Sequence, residues 1–276
     1  MEDWRQIVHR AVTGETIPPS PAVVAQTHVI LDLLAARDVR ATFFVLGTVA
    51  ERYPELVRRI QGAGHEIASH GLSHIPVHRQ TPTEFRTETR RAKEVLESIT
   101  GDPVHGYRAA EFSITQRSLW ALDVLAELGF RYDSSIFPIS ARRYGIRDAP
   151  RHPHWMPLSD GGGIREYPLA TIERAGRRWP VAGGGYFRLL PYRVTRGAIG
   201  AINTDGDPAV VYLHPYEFSQ SVLQIERRRL PVRARARLLR YSTVHNLARE
   251  RLATRFQRLL HDFEFVPLKE LMDEDS

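Results

Sequence analysis

The sequence predicts an α/β fold whose strands run parallel in one sheet, open or closed as a barrel. Short, nearly all-apolar runs alternate with longer amphipathic stretches, the pattern of right-handed β-α-β crossovers. Histidines and an arginine stand just after several strand-like runs, where reactive groups collect in such folds. The 276 residues are enough for a sizeable core, as one large domain or two lobes.

Val23 to Ala36 reads as a helix, with Val24, Ile30, Leu31, Leu33 and Leu34 apolar and Pro19 and Pro21 ahead of it. Ala41 to Leu46 is the apolar run of a strand buried on both faces. Pro54 to Ile60 gives a second helix, stopped by Gly62 and Gly64, and His65 to Ser69 a second strand. Thr83 to Ile99 is a third helix, capped by Thr81 or Thr83, with Phe85, Ala92, Val95, Leu96 and Ile99 on one face. Val104 to Tyr107 leads as a strand into Arg108. Ser118 to Leu128 is a helix ending at Gly129, and Phe130 to Ser134 resumes as a strand.

From Tyr144 to Ala182 the texture shifts to Pro, Gly and Arg, and the runs Gly161–Gly163 and Gly183–Gly185 read as turn chemistry. Ala209 to Leu213 is a strand ending at His214. Asn246 to Leu260 reads as one helix and Phe263 to Val266 as a closing strand. No repeat or low-complexity linker interrupts the chain. The expected organisation is therefore one compact unit, with a core over 1–143 and an elaborated C-terminal half over 144–276 that completes the barrel and supplies His214.

Composition narrows the function. Without cysteine there are no disulfides, thiolate zinc sites or cysteine nucleophiles. No apolar run reaches transmembrane length and no signal-peptide layout opens the chain, so a cytoplasmic location is expected unless the true start lies upstream. The net charge is +6 and the pI about 9.8. Part of it sits in Glu226–Arg229 and Arg233, Arg235, Arg237 and Arg240, which read as a solvated helix face. No nucleic-acid signature accompanies that stretch, so no nucleic-acid partner is expected. Oligomeric state stays open.

His70 and His74, four residues apart and joined by Gly71, Leu72 and Ser73, stand at the mouth of the second strand. Two imidazoles so placed can converge on one divalent ion and leave other coordination positions free.

The ordered set Ala41–Gly47 (ATFFVLG), Gly64–His74 (GHEIASHGLSH), Gly106–Ala109 (GYRA), Tyr132–Ser135 (YDSS) and Val211–Pro215 (VYLHP) resembles the polysaccharide deacetylases of carbohydrate esterase family 4. It is most similar to the branch with a C-terminal extension found near exopolysaccharide export genes. Gly184–Pro191 (GGYFRLLP) and the tail through Leu268 would represent that extension.

The resemblance implies a distorted (β/α) barrel with fewer than eight strands. It implies metal-dependent hydrolysis of N-acetyl groups on an amino-sugar polysaccharide or oligosaccharide. Zinc is the default ion, with cobalt, nickel or iron as alternatives. His70 and His74 would be metal ligands, His214 the general acid, and Arg108 the arginine that orients the catalytic carboxylate. From the residues themselves, Asp133 could orient or tune His214, or equally cap the turn at Ser134 and Ser135. Tyr107 and Tyr186 could offer faces to sugar, with core packing the commoner fate of such rings.

Two departures stand out. The third motif lacks the family's proline and reads Arg108-Ala109-Ala110, which frees a backbone dihedral and restores an N–H. The first motif begins at Met1-Glu2-Asp3-Trp4, so the first strand and the base aspartate would lie upstream. Glu2 and Asp3 are both candidate metal ligands. Two other readings stay open: hydrolysis of a small cyclic amide or ureide on the same fold, and polysaccharide binding without turnover.

Overall fold

The structure, a computed structural model, describes residues 1–141, 144–219, 221–225 and 232–273. The chain opens with helices α1 (Trp4–Thr13) and α2 (Ala22–Ala35), then strand β1 (Thr42–Val45). Helices α3 (Gly47–Arg52) and α4 (Pro54–Gly62) lead to β2 (Glu66–Ser69), and α5 (Pro82–Thr100) to β3 (Gly106–Tyr107). Helix α6 (Trp120–Glu127) precedes β4 (Tyr132–Asp133), followed by β5 (His154–Pro157), β6 (Gly163–Glu166), β7 (Thr171–Arg174) and β8 (Arg177–Pro180). The rest is helical: α7 (Gly184–Leu189), α8 (Tyr192–Thr204), α9 (Val232–Asn246), α10 (Leu252–Asp262) and α11 (Leu268–Asp273).

Six strands form one sheet in the order β1-β2-β3-β4-β6-β5. All neighbours are parallel except the β5–β6 hairpin, so the expected parallel α/β architecture is present. Beyond β2 the ladder continues into the loops: the His70 N–H donates to Val45 O, and the Arg108 N–H to Ser69 O. That pairing brings the ends of β1, β2, β3 and β4 onto one rim. Among the described residues the sheet does not close into a barrel. Bridges from Leu169 to Val210 and from Gly183 to Tyr212 draw the 209–213 run alongside, where a full strand was expected.

Helix α5 shows why the helices form where they do. Thr81 and Glu84 make a reciprocal cap, Pro82 fits the first turn, and Gly101 closes the helix at φ 73°. Phe85, Ala92, Val95 and Leu96 on its inner face are buried. Helix α9 buries Ala234 and Leu238 and exposes Arg233, Arg235, Arg237 and Arg240, the solvated face expected; residues 226–231 of the basic run lie outside the described residues.

Several expectations are corrected. Asn246 to Leu260 is not one helix: α9 ends at Asn246, whose side chain accepts from Leu223 N–H and donates to Leu223 O. Ala248, at φ 55°, then turns the chain before α10. Phe263–Val266 is extended but forms no ladder among the described residues; Phe263 and Phe265 pack on the core instead. Helices α1 and α8 and strands β5 to β8 were not anticipated. Gly197 and Gly200 dilute the helical signal of α8, and four-residue strands carry too little periodicity to stand out.

Candidate metal centre and active site

The first cluster forms where the N-terminus meets the rim. The Leu46 N–H donates to Met1 O, which sets residues 1–3 beside the end of β1. Glu2 points inward and is buried. Its Oε2 lies 2.8 Å from His74 Nε2 and 3.3 Å from His70 Nε2. His74 reaches back because its backbone adopts φ 57°, a left-handed conformation that a non-glycine residue holds only under strain. His70 Nδ1 stands 2.7 Å from Arg108 O. A carbonyl only accepts, so Nδ1 carries the hydrogen and Nε2 presents its lone pair to the cluster.

The electrostatics favour a cation here. Burial works to raise the Glu2 pKa, but the charge of His74, the close approach of both imidazoles and the charge of His214 hold it well below the carboxylate range. Burial pushes His70 down to about 4 and keeps it neutral, the state a ligand needs. Ligand atoms of Glu2, His70 and His74 all lie within 4.8 Å of one another. One carboxylate and two imidazoles, with positions left over, is the donor set of an open site for zinc or a similar divalent ion. Asp3 is corrected out of this group: its carboxylate accepts from Gln6 N–H, Ser20 N–H and the Ser20 hydroxyl, and so caps α1.

Opposite the pair stands His214, with Nε2 3.6 Å from Glu2 Oε1 and its ring stacked on Tyr216. Its Nδ1 lies 3.1 Å from Glu217 Oε2. Burial lowers its pKa, but the Glu217 hydrogen bond and the charges of Glu2 and Glu217 outweigh that and raise it. Asp133 is not the partner expected for His214. Its oxygens accept from the Ser135 hydroxyl at 2.5 Å and the Ser135 N–H at 3.2 Å. It also faces Glu166, whose Oε2 has no other donor and whose pKa burial raises well above normal. Burial and the neighbouring Asp133 charge both push the Glu166 pKa up, which favours one proton on the pair.

Arg108 is buried, with its guanidinium 4.2 Å over the Phe44 ring and hydrogen-bonded to Ser134 O and Oγ. Among the described residues no carboxylate comes within ion-pair distance of it. A cavity of about 720 Å³ joins Glu2, His70, His74, Arg108 and His214 and extends between β1 and the 209–213 run. Tyr107 is corrected too: its ring is buried edge-on between Phe85 and Phe130 and presents no face to a sugar. Tyr186, on α7, is partly exposed.

Glu217 and Arg188 went unnoticed in the sequence. The available signal was a carboxylate three residues after His214, with Pro215 opening a one-turn helix between them. Arg188 was in view only as part of the Gly184–Pro191 stretch.

Residues 15–132 match the polysaccharide deacetylase family, and residues 134–273 match a domain of unknown function, DUF3473. A chitooligosaccharide deacetylase of Bradyrhizobium sp. is 36% identical over 97 residues, 35% of this chain and 42% of the relative. A peptidoglycan-N-acetylglucosamine deacetylase of Bacillus cereus is 39% identical over 72 residues, 26% of each chain. The chain thus spans less than half the length of these curated relatives. Two crystal structures share the fold. One, from Mycobacterium smegmatis and named for a polysaccharide deacetylase, has a TM-score of 0.54 at 24% identity, over 89% of this chain and 81% of that one. The allantoinase Puue has a TM-score of 0.58 at 19% identity, over 89% and 70%. The chain belongs to the DUF3473 family over residues 134–273, and carries that domain directly behind a polysaccharide deacetylase domain at residues 15–132.

Proposed function

We propose that this protein is a metal-dependent N-deacetylase acting on an amino-sugar polysaccharide or oligosaccharide, of the kind exopolysaccharide assembly handles. The observation that carries the reading is the convergence of Glu2, His70 and His74 at one end of a cavity that also receives His214. In this reading Glu2 and the two imidazoles hold a divalent ion, zinc by default. A bound divalent ion would polarise the acetyl carbonyl and lower the pKa of water, the two obstacles in amide hydrolysis.

The chain's own residues do the rest. A water oxygen bonds to the acetyl carbon, the carbon–nitrogen bond breaks, and acetate departs. The amine nitrogen takes a proton from His214 Nε2, the ring nitrogen that faces the cavity. Of the two water protons, one goes to a carboxylate as the oxygen attacks, and the other leaves as acetic acid ionises to acetate and restores His214. The family resemblance implies an aspartate for that role, and the buried Arg108 cation is the group such a carboxylate would meet. Tyr186, partly exposed on α7, is the aromatic assigned to a sugar face in this reading.

The test is acetate release from N-acetylated chitooligosaccharides, using this chain and a version extended by the residues encoded just upstream of Met1. Release that stops with a chelator and returns with zinc supports the reading. No release from either form at saturating zinc overturns it.

A further inference from the structure

We infer that Glu217, clamped by Arg188, is the positioning residue for His214, and that the domain of unknown function thereby supplies the whole acid half of the site. The inference rests on the deacetylase reading but is argued from separate groups. Glu217 and Arg188 are almost completely buried, with side chains 1% and 3% exposed. Arg188 Nε lies 2.8 Å from Glu217 Oε1. The same guanidinium donates through Nη1 to His245 O at 2.9 Å and Leu247 O at 2.8 Å, so its position is set from two sides.

A buried ion pair is a poor way to stabilise a fold. Desolvating both charges costs about as much as their attraction returns, and an apolar pair of similar volume serves as well. What this pair does accomplish is to favour the ionised carboxylate, through a charge 2.8 Å away that makes no aligned hydrogen bond to it. The free oxygen of that carboxylate, Oε2, accepts twice from one residue: from the His214 backbone N–H at 2.9 Å and at His214 Nδ1, 3.1 Å away. An ionised carboxylate can only accept, so Nδ1 must carry hydrogen. The ring is fixed against a half-turn flip, and Nε2 is left facing Glu2 and the cavity.

Each group also comes from a distinct segment of the 134–273 match. His214 follows the 209–213 run, Glu217 lies in the one-turn helix Pro215–Phe218, and Arg188 lies on α7. Gly183 and Gly184 bring α7 against Tyr212, with the Gly184 N–H donating to Tyr212 O at 3.0 Å. The domain folds around this relay.

Two variants test the inference: Glu217→Gln, and the double change Glu217→Met with Arg188→Met, which removes both charges together and leaves neither uncompensated. Zinc-supplied protein with ¹⁵N-labelled histidine is read by long-range proton–nitrogen NMR, with His214→Asn assigning the signal. In the parent protein His214 should show hydrogen on Nδ1. In the double variant that signal should be lost or mixed with the Nε2–H tautomer, while kcat for acetate release falls about a hundredfold at near-constant KM. An unchanged His214 tautomer in the double variant, or unchanged kcat in both variants, overturns the assignment. If no form releases acetate the deacetylase reading fails, and the NMR result still decides whether Glu217 holds the ring.

Discussion

Gly183 is the residue on which the approach of α7 to the acid segment depends. Its backbone lies at φ 153° and ψ 157°, a region essentially closed to residues with a Cβ. A Cβ built there would stand 2.2 Å from Tyr212 Cδ1 and 2.3 Å from Cε1. Tyr212 packs against Phe112, Phe137 and the His214 ring, so it has little freedom to retreat. For Gly183→Ala the backbone strain costs about 1–3 kcal/mol and the overpacking about as much again. Roughly 4 kcal/mol together corresponds to a fall in Tm on the order of 10 °C for a chain of this size. Gly185→Ala is the control: its Cβ would meet only Arg188 Nη2 at 3.7 Å, an ordinary contact, and Tm should hold or rise slightly. Thermal unfolding followed by near-UV circular dichroism gives both values. Equal melting of Gly183→Ala and the parent would refute the packing argument.

The Asp133–Glu166 pair predicts a pH slope. Burial raises the Glu166 pKa well above the carboxylate range, so above that range the native state holds a proton the unfolded chain has released. The pair's contribution to stability should be greatest in acid and fall as pH rises, by about 1.4 kcal/mol per pH unit, until the native pair lets the proton go. Glu166→Gln supplies a permanent N–H toward Asp133, so urea midpoints taken between about pH 5 and about pH 8 should flatten; slopes matching the parent would count against a shared proton. Asp3→Ala should cost about 1 kcal/mol through loss of the α1 cap while zinc content by mass spectrometry stays the same. Glu2→Gln should lose the zinc, and the opposite pattern would exchange the two roles.

Much of the fold was legible because β1, β2 and α5 state their burial directly: apolar runs for strands covered on both faces, a capping box and one apolar stripe for the helix. The convergence of His70 and His74 was readable from spacing at a strand end. The choice between Glu2 and Asp3 was not, because adjacent carboxylates look alike until the fold shows one turned inward and the other spent on Ser20. Asp133 read two ways, as partner of His214 or as cap of the turn at Ser134 and Ser135, and the second is the one the structure forms. Its place after a strand fits an active-site role, but its oxygens are taken by Ser135 and Glu166. Glu217 escaped because its function arises from Arg188, 29 positions earlier, through a buried pairing that no local pattern announces.

The 3.6 Å approach of His214 to Glu2 joins the two ends of the polypeptide's machinery across one narrow gap. His70 and His74 fall inside the 15–132 match and Glu2 ahead of it, while His214 and Glu217 fall inside the 134–273 match. On the proposed reading, neither half carries out the reaction alone. Shuffling experiments that respect only the boundary near residue 133 should yield folded halves at best; a working chimera must keep both sides of this seam matched.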